Sequence, residues 1–152
     1  EVGLGEPVTM RTGVVTVTGV RAAKQVTSFV DTATTRGVWL VIDTEWTPRH
    51  EPYLLSGAEA RIRATDGRSF GGDSVLTTSC TPTQPGVTFV CSFAFEMDPA
   101  ALPGARALLP ASLLGEADDV AVVDLGLDEA TAQRLAAATA PIKLPGITVK
   151  AP

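Results

Sequence analysis

The ten residues from Val87 to Glu96 alternate between apolar and small or polar side chains, and this restricts what the chain can fold into. In a β-strand, side chains two positions apart point to the same face. One face of this segment carries Val87, Phe89, Cys91, Phe93 and Phe95. Three of the chain's five phenylalanines lie on that face, and full burial of each ring contributes about 1.5–3 kcal/mol. We expect this strand to form the centre of the core.

The only other cysteine is Cys80, and ten residues separate it from Cys91. A structural zinc site needs four ligands, and His50 is the only histidine, so the ligands are too few. A thioredoxin-like redox motif has two residues between its cysteines. The spacing therefore favours a structural disulfide, and two free buried thiols remain as the alternative.

A turn at Pro85-Gly86 would bring the two sulfur atoms together. In a hairpin with a two-residue loop, however, Pro82 would occupy a position that requires an N–H group, which proline lacks. We therefore predict a longer loop or a bulge. The disulfide would fasten this irregular loop to the strand that begins near Val87, and it would place the protein in an oxidising compartment.

Alternation and turn residues predict several further strands. They cover residues 14–19, 37–47 (ended by Pro48), 58–65 (followed by a hairpin turn at 66–68), 105–114 (interrupted at Pro110) and 119–126, with a polar connection at 24–36. One helix is predicted, with Asp128 as its N-cap and Ala138 near its end. The pattern predicts a mainly β fold: a β-sandwich of about seven to nine strands over residues 1–126. The helix and an extended tail, which together form residues 127–152, would pack on the same domain.

The order of four short motifs resembles that of a known family. These motifs are the Val-Thr-Gly-Val that ends at Val20, the segment from Trp39 to Trp46, the Asp66-Gly67-Arg68 turn, and Pro85-Gly86 followed by Phe93-Ala94-Phe95-Glu96. The chain is similar over residues 6–126 to the telokin-like immunoglobulin-fold domains of secreted or lipid-anchored actinobacterial proteins, the group of the mycobacterial immunoprotective extracellular antigen. The resemblance implies an immunoglobulin-like sandwich outside the cytoplasm and provides no catalytic residues.

Composition agrees with such a domain. The net charge is −5 and no stretch concentrates Lys or Arg, so nucleic acid is not expected as a partner. The preference for Arg over Lys and the abundant Ala suggest a GC-rich bacterial source. The chain begins at Glu1 and has no apolar run of about 20 residues, so we expect contact with a membrane only through an anchor outside this sequence.

Aromatic and charged side chains are densest in the loop that contains Trp46, Arg49, His50 and Tyr53. Trp, Tyr and Arg often dominate binding energy at interfaces, and loops on a rigid sandwich often form binding sites. These four residues are our candidate binding site. The alternative is a polar loop between strands, with Trp46 folded back on the sheet.

No catalytic, metal or cofactor site is predicted. His50 has no recognisable nucleophile motif to accompany it. Five acids lie close in sequence: Asp118, Asp119, Asp124, Asp128 and Glu129. A glycosidase pair or a calcium site would need them in a specific arrangement, but Asp119 and Asp124 should face opposite sides of a strand and the spacing matches no calcium loop. We expect a solvated acidic end of the domain.

Two functional hypotheses follow. The first is a non-enzymatic binding or scaffold module in the bacterial cell envelope, which contacts another envelope protein or a wall component. The second is a carrier or sensor of a small apolar ligand, held between the sandwich and the C-terminal helix. The apolar composition and the Leu and Ala residues at 130–138 suggest this second hypothesis.

Overall fold

Most of the alternating segment Val87–Glu96 forms a strand as its sequence predicts, although the strand begins at Phe89 rather than near Val87. A computed structural model describes residues 2–29, 31–72, 79–82, 84–113 and 119–151. These residues form β1 (Val8–Thr9), β2 (Gly13–Thr27), β3 (Thr32–Pro48), β4 (Leu54–Leu55), β5 (Arg61–Arg63), β6 (Ser69–Phe70), β7 (Phe89–Met97), β8 (Arg106–Ser112), β9 (Asp119–Asp124), α1 (Glu129–Ala136), β10 (Ile142–Lys143) and β11 (Thr148–Val149). A short 3₁₀ turn covers Pro99–Ala101.

The strands form two sheets. The first has the order β1-β2-β3-β7-β11, with β10 pairing parallel to the far end of β2. The second has the order β4-β8-β5-β6, with β9 on the other edge of β8. Apart from β10, the pairings between these strands are antiparallel. The described residues thus contain eleven strands, more than the seven to nine expected, because five of them are only two residues long.

One apolar core lies between the two sheets. The β7 side chains Phe89, Cys91, Phe93, Phe95 and Met97 all belong to it, which confirms the central role predicted for this strand. The second sheet contributes Ile62, Leu109, Ala121 and Val123. The described residues therefore form a mainly β sandwich with one short α-helix.

β2 and β3 are much longer than the sequence pattern indicated. The polar stretch 24–36 was expected to be a connection, but it forms the far end of a β2–β3 hairpin in which Val26 pairs with Ala33. Residues 35–38 of β3 lie opposite the single residue Lys24 of β2, so β3 has a large bulge at this point. Bulges bend and twist a hairpin. Beyond this bulge, Val26 and Ala33 pack on the outer face of the same sheet, against Trp39 and Val41.

Pro110 lies inside β8 and does not interrupt it, contrary to the sequence-based expectation. β4 pairs with Ser112 and Ala111, and β5 pairs with residues 106–108, so the ladder on that edge has a gap at Pro110. The Pro110 carbonyl accepts a hydrogen bond there from the Ser56 N–H, at 2.9 Å. A proline fits where no N–H group is required from it.

The C-terminal part packs on the sandwich. Asp128 caps α1 as predicted, because its carboxylate accepts a hydrogen bond from the Thr131 N–H at 2.8 Å. Ala132 lies in the main core. The tail then pairs through β10 with β2 and through β11 with β7, at opposite edges of the first sheet. Residues 144–147 cross the outer face between them, with Leu144 buried against Trp39 and Val41.

Candidate functional site

The predicted disulfide between Cys80 and Cys91 is present, with the two Cα atoms 5.8 Å apart. Cys91 belongs to β7 of the first sheet. Cys80 forms a bridge with Leu55 of β4: the Cys80 N–H donates to the Leu55 carbonyl at 2.9 Å, and the Leu55 N–H donates to the Cys80 carbonyl at 3.1 Å. The bond therefore joins the edges of the two sheets. The sequence predicted a clamp on an irregular loop but not that the loop adds to the second sheet.

The Pro85-Gly86 turn also forms. In a simple hairpin the residues on either side of the turn would bond to each other, but here the turn bonds to the end of β3. Gly86 adopts a φ of 81°, a conformation that glycine accepts without steric cost. Its N–H donates to the carbonyl of Pro48, at the end of β3, at 2.8 Å. The Pro85-Gly86 turn thus lies beside the end of β3.

Trp46 is not part of a surface. Its side chain is 0% exposed, and its Nε1–H donates to the Tyr53 carbonyl at 2.9 Å. Its place in the predicted binding site must be corrected, because a wholly buried ring contacts no partner in this conformation. The structure has the alternative arrangement, with Trp46 folded back on the sheet. Trp46 instead supports the loop from within.

The remaining candidates lie in a loop whose backbone is well hydrogen-bonded. The Arg49 N–H donates to the Thr12 carbonyl at 2.8 Å, the Glu51 N–H to the Arg49 carbonyl at 2.7 Å, and the Tyr53 N–H to the Glu51 carbonyl at 2.8 Å. Arg49 and His50 are exposed, and Tyr53 is half-buried. The loop therefore presents Arg49 and His50 to solvent from a defined backbone.

His50 has an unusual backbone conformation. Its φ is 68°, and among the described residues it is the only one other than glycine with a positive φ. Such a conformation is uncommon outside glycine, although Asn, Asp and His adopt it more readily than other residues. Residues in sparsely populated regions persist where the surrounding structure holds them. Here the hydrogen bonds on both sides of His50 hold it.

Arg11 is a further member of this surface that the sequence analysis missed. It lies in the turn between β1 and β2, and its Nη1 donates to the Tyr53 hydroxyl at 3.4 Å. The guanidinium carbon also lies 5.8 Å from the centre of the Tyr53 ring, within cation–π range. We call Arg11, Arg49, His50 and Tyr53 the loop surface. No local signal could have found Arg11, since 42 residues separate it from Tyr53.

The acidic residues near the C-terminus have separate structural roles. Asp119 accepts from the Thr12 N–H at 3.0 Å, and Asp124 accepts from the Gly126 N–H at 2.9 Å. The hydrogen bond from the Thr131 N–H to Asp128 lowers the pKa of that carboxyl. Asp118 lies outside the described residues. Within the described ranges, no three His, Cys, Asp or Glu side chains come together in a group that could bind a metal ion.

A cavity of about 220 Å³ lies beside the disulfide, at the edge of β7. β11 pairs with Phe89 and Val90 only, so it does not cover this part of the edge. The side chains around the cavity are mostly apolar, with three serines among them: Ser28, Phe29, Ser79, Cys80, Cys91, Ser92, Phe93, Leu144, Pro145, Gly146 and Ile147. The sequence analysis did not predict this cavity.

The space beside α1 is different. A cleft of about 410 Å³ separates the helix from the 3₁₀ turn, and its lining combines apolar residues such as Pro99 and Ala132 with the polar Glu129 and Gln133. Ligand sites are mostly apolar and enclosed, so this cleft suits an apolar ligand less well than the cavity at the disulfide. No helix among the described residues is long and apolar enough to span a membrane.

Comparison with known proteins gives little guidance on function. No protein-family model matches the chain. No curated protein matches it either. Among solved structures, an uncharacterised β-sandwich protein from Clostridium difficile 630 is 13% identical, and the match covers 80% of this chain and 90% of that one with a TM-score of 0.46.

Proposed function

We propose that this chain is a non-enzymatic binding or scaffold module of the bacterial cell envelope. Its partner would be another envelope protein or a wall component, and it would bind through the loop surface. The observation that carries the proposal is the loop at His50. A strained backbone, hydrogen-bonded on both sides and supported by the buried Trp46, presents exposed side chains of the types that bind partners.

A pre-ordered loop favours binding because less conformational entropy is lost when a partner binds it. The loop surface combines two arginines, a histidine and a tyrosine that lies within cation–π range of Arg11. Arg and Tyr are enriched among the residues that dominate interface energies. Arginine also pairs well with carboxylates and phosphates. We therefore expect the partner to present an acidic group to Arg49.

The disulfide supports a location outside the cytoplasm. The sulfur-bearing side chains of Cys80 and Cys91 are 0% and 4% exposed, and the bond links the edges of two sheets. Structural disulfides persist in oxidising compartments and are rare in the cytosol. Secretion, or attachment at the outer face of the cytoplasmic membrane, would provide such a compartment.

The order of the strands supports kinship with the telokin-like immunoglobulin-fold domains. In an immunoglobulin-type sandwich, strands A, B and E lie in one sheet and C, F and G in the other, and a C′ strand joins the second sheet in some types. Here β2, β3 and β7 take the order of A, B and E. In the second sheet, β9, β8, β5 and β6 take the order G, F, C and C′. We propose membership of that group on this correspondence together with the sequence motifs.

Capture of partners from an envelope extract tests the proposed function. The immobilised wild-type domain is compared with a variant in which Arg49→Ala is combined with His50→Gly. Glycine keeps the positive φ at position 50 while it removes the imidazole. Arg63→Ala, an exposed arginine in β5 of the other sheet, is the matched control.

We expect the loop variant to lose at least about tenfold in recovery of a specific envelope component, which corresponds to about 1.4 kcal/mol of binding free energy and exceeds the roughly 1 kcal/mol that most interface side chains contribute. The Arg63→Ala control should recover it like wild type. Equal recovery by all three proteins would remove the loop surface from consideration.

A further inference from the structure

We propose that the cavity beside the disulfide is a binding site for a small, uncharged, mainly aliphatic molecule with one polar end. This is a different site from the loop surface, and the proposal does not depend on the function proposed for that loop. It depends on three features of the cavity: its size, its lining, and the segment that covers it.

The size of the cavity indicates what fits. A dry cavity of about 150 Å³ can take up benzene, which has six carbons. The cavity here measures about 220 Å³. On the same scale it accommodates about eight or nine carbon atoms. It is smaller than the sites of drug-sized ligands, which begin near 300 Å³.

The lining determines the chemistry. Phe93, Leu144 and Ile147 and the disulfide provide apolar walls, and none of the described side chains around the cavity carries a formal charge. A charged ligand group would have to give up its hydration there without an ionic partner, which is costly. The ligand is therefore neutral.

Two serines of the lining can each hydrogen-bond to a polar group of a ligand. The Ser79 hydroxyl accepts a hydrogen bond from the Gly57 N–H at 3.2 Å, and its own proton remains for a ligand acceptor. The Ser92 hydroxyl donates to Asp43 at 2.7 Å, so its oxygen remains as an acceptor for a ligand donor. An alcohol both donates and accepts hydrogen bonds. The hydroxyl of a small aliphatic alcohol can therefore hydrogen-bond to either serine.

The cover of the cavity suggests a route of entry. Residues 144–147 lie between β10 and β11, and each of these strands pairs through only two residues. Segments with few contacts open locally at a lower free energy than the core. Phe29 stands at the mouth with 96% of its side chain exposed, next to Gly146. Local opening of the exposed residues 145–147 would therefore admit a ligand while Leu144 stays packed against Trp39 and Val41.

A series of straight-chain primary alcohols from four to twelve carbons tests the proposal by calorimetric titration of the wild-type protein. Affinity should rise about fourfold per added methylene group, which is the 0.8 kcal/mol hydrophobic contribution of one buried CH₂. The rise should stop at about eight or nine carbons, when the cavity is full. Heptanoate, of similar length but charged, should bind at least about tenfold more weakly than heptanol.

Variants locate the binding. A Cβ atom at Gly146 would lie 3.7 Å from the Phe29 ring, an ordinary contact, and no positive φ is required there. Gly146→Leu therefore places an apolar side chain at the mouth without strain. It should weaken heptanol binding at least tenfold with an unchanged or higher unfolding midpoint. Gly19→Leu, where the added Cβ meets nothing within 4 Å, is the matched control and should bind like wild type.

Magnetisation transfer from bound heptanol to the methyl groups of Leu144 and Ile147 provides a direct readout of position. Three results would overturn the proposal. They are the absence of binding by any alcohol, an affinity that keeps rising through twelve carbons as for adsorption on a surface, and equal binding by Gly146→Leu and wild type. None of these results bears on envelope capture by the loop surface, so the two proposals fail independently.

Discussion

Reduction of the disulfide should lower stability substantially and leave the sandwich folded. Eleven positions separate Cys80 from Cys91. Closing a ring of that length removes about 3 kcal/mol of conformational freedom from the unfolded chain on the entropy estimate. Most of the core, including the β2–β3 and β3–β7 pairings, does not involve the two sulfur atoms. The reduced protein should therefore unfold cooperatively, with a midpoint about 6–12 °C lower.

Denaturant unfolding followed by tryptophan fluorescence measures this effect, because Trp39 and Trp46 are 3% and 0% exposed and both become solvated on unfolding. The oxidised and reduced wild type differ by the cross-link alone. The double variant Cys80→Ala with Cys91→Ala also loses two buried sulfur atoms, at about 1 kcal/mol for each small void. It should therefore be less stable than the reduced wild type.

Amide exchange separates the local effect from the global one. The Cys80 N–H, bonded to Leu55 at the sheet edge, should exchange faster after reduction, while the β3 and β7 amides remain protected relative to it. The reasoning is refuted if reduction changes the free energy of unfolding by less than about 1 kcal/mol, or if it unfolds the domain outright at 25 °C.

Two further predictions follow from the structure. Gly13→Ala should destabilise by about 1–3 kcal/mol, the scale of core overpacking, because a Cβ at Gly13 would collide with the Thr47 carbonyl oxygen. A Cβ at Gly19, in the same strand, meets nothing within 4 Å, so equal unfolding midpoints for Gly13→Ala and Gly19→Ala would contradict this. Backbone hydrogen bonds and Arg68 lower the pKa of Asp66 and Asp98. Their contribution to stability is therefore present above the ordinary carboxyl pKa and lost as the pH falls through the lowered values. Arg68→Gln should flatten this acid-side loss, and a pH series of chemical unfolding curves that is the same for both proteins would refute the assignment.

The sequence predicted those parts of the fold that depend on short-range patterns. Period-two alternation identified β7 and its buried face, and Asp128 marked the start of α1. The disulfide followed from the count and spacing of the cysteines. Each of these signals lies within about a dozen residues, so it could be read without knowledge of the rest of the fold.

The parts that were missed depend on contacts between distant segments. The far end of the β2–β3 hairpin is polar in sequence because its strands lie over the outer face of their own sheet, with only Val26 and Ala33 turned toward Trp39. In the sequence, Pro110 indicates the interruption of a strand. The structure accommodates it inside β8 because neither β4 nor β5 pairs with β8 at that residue.

In the candidate site, too, short-range features could be predicted and contacts between distant segments could not. Composition identified the loop around His50 as unusual, but it could not show that Trp46 is buried or that Arg11 joins Tyr53 from another turn. The cavity beside the disulfide brings together the hairpin tip, the segment at Ser79, β7 and the C-terminal tail. Four separate parts of the chain meet there, and no pattern in any one of them indicates a cavity.

The central claim is that this domain works in an oxidising compartment at the cell envelope, with its two sheets joined by the Cys80–Cys91 bond. The most direct test is thiol trapping in intact cells that make the protein: alkylation on lysis, followed by mass spectrometry of the peptides that contain the two cysteines. The account predicts that both cysteines are protected from alkylation before reduction, and that the protein is recovered in the envelope or extracellular fraction. Two alkylated thiols in protein recovered from the cytoplasm would contradict it.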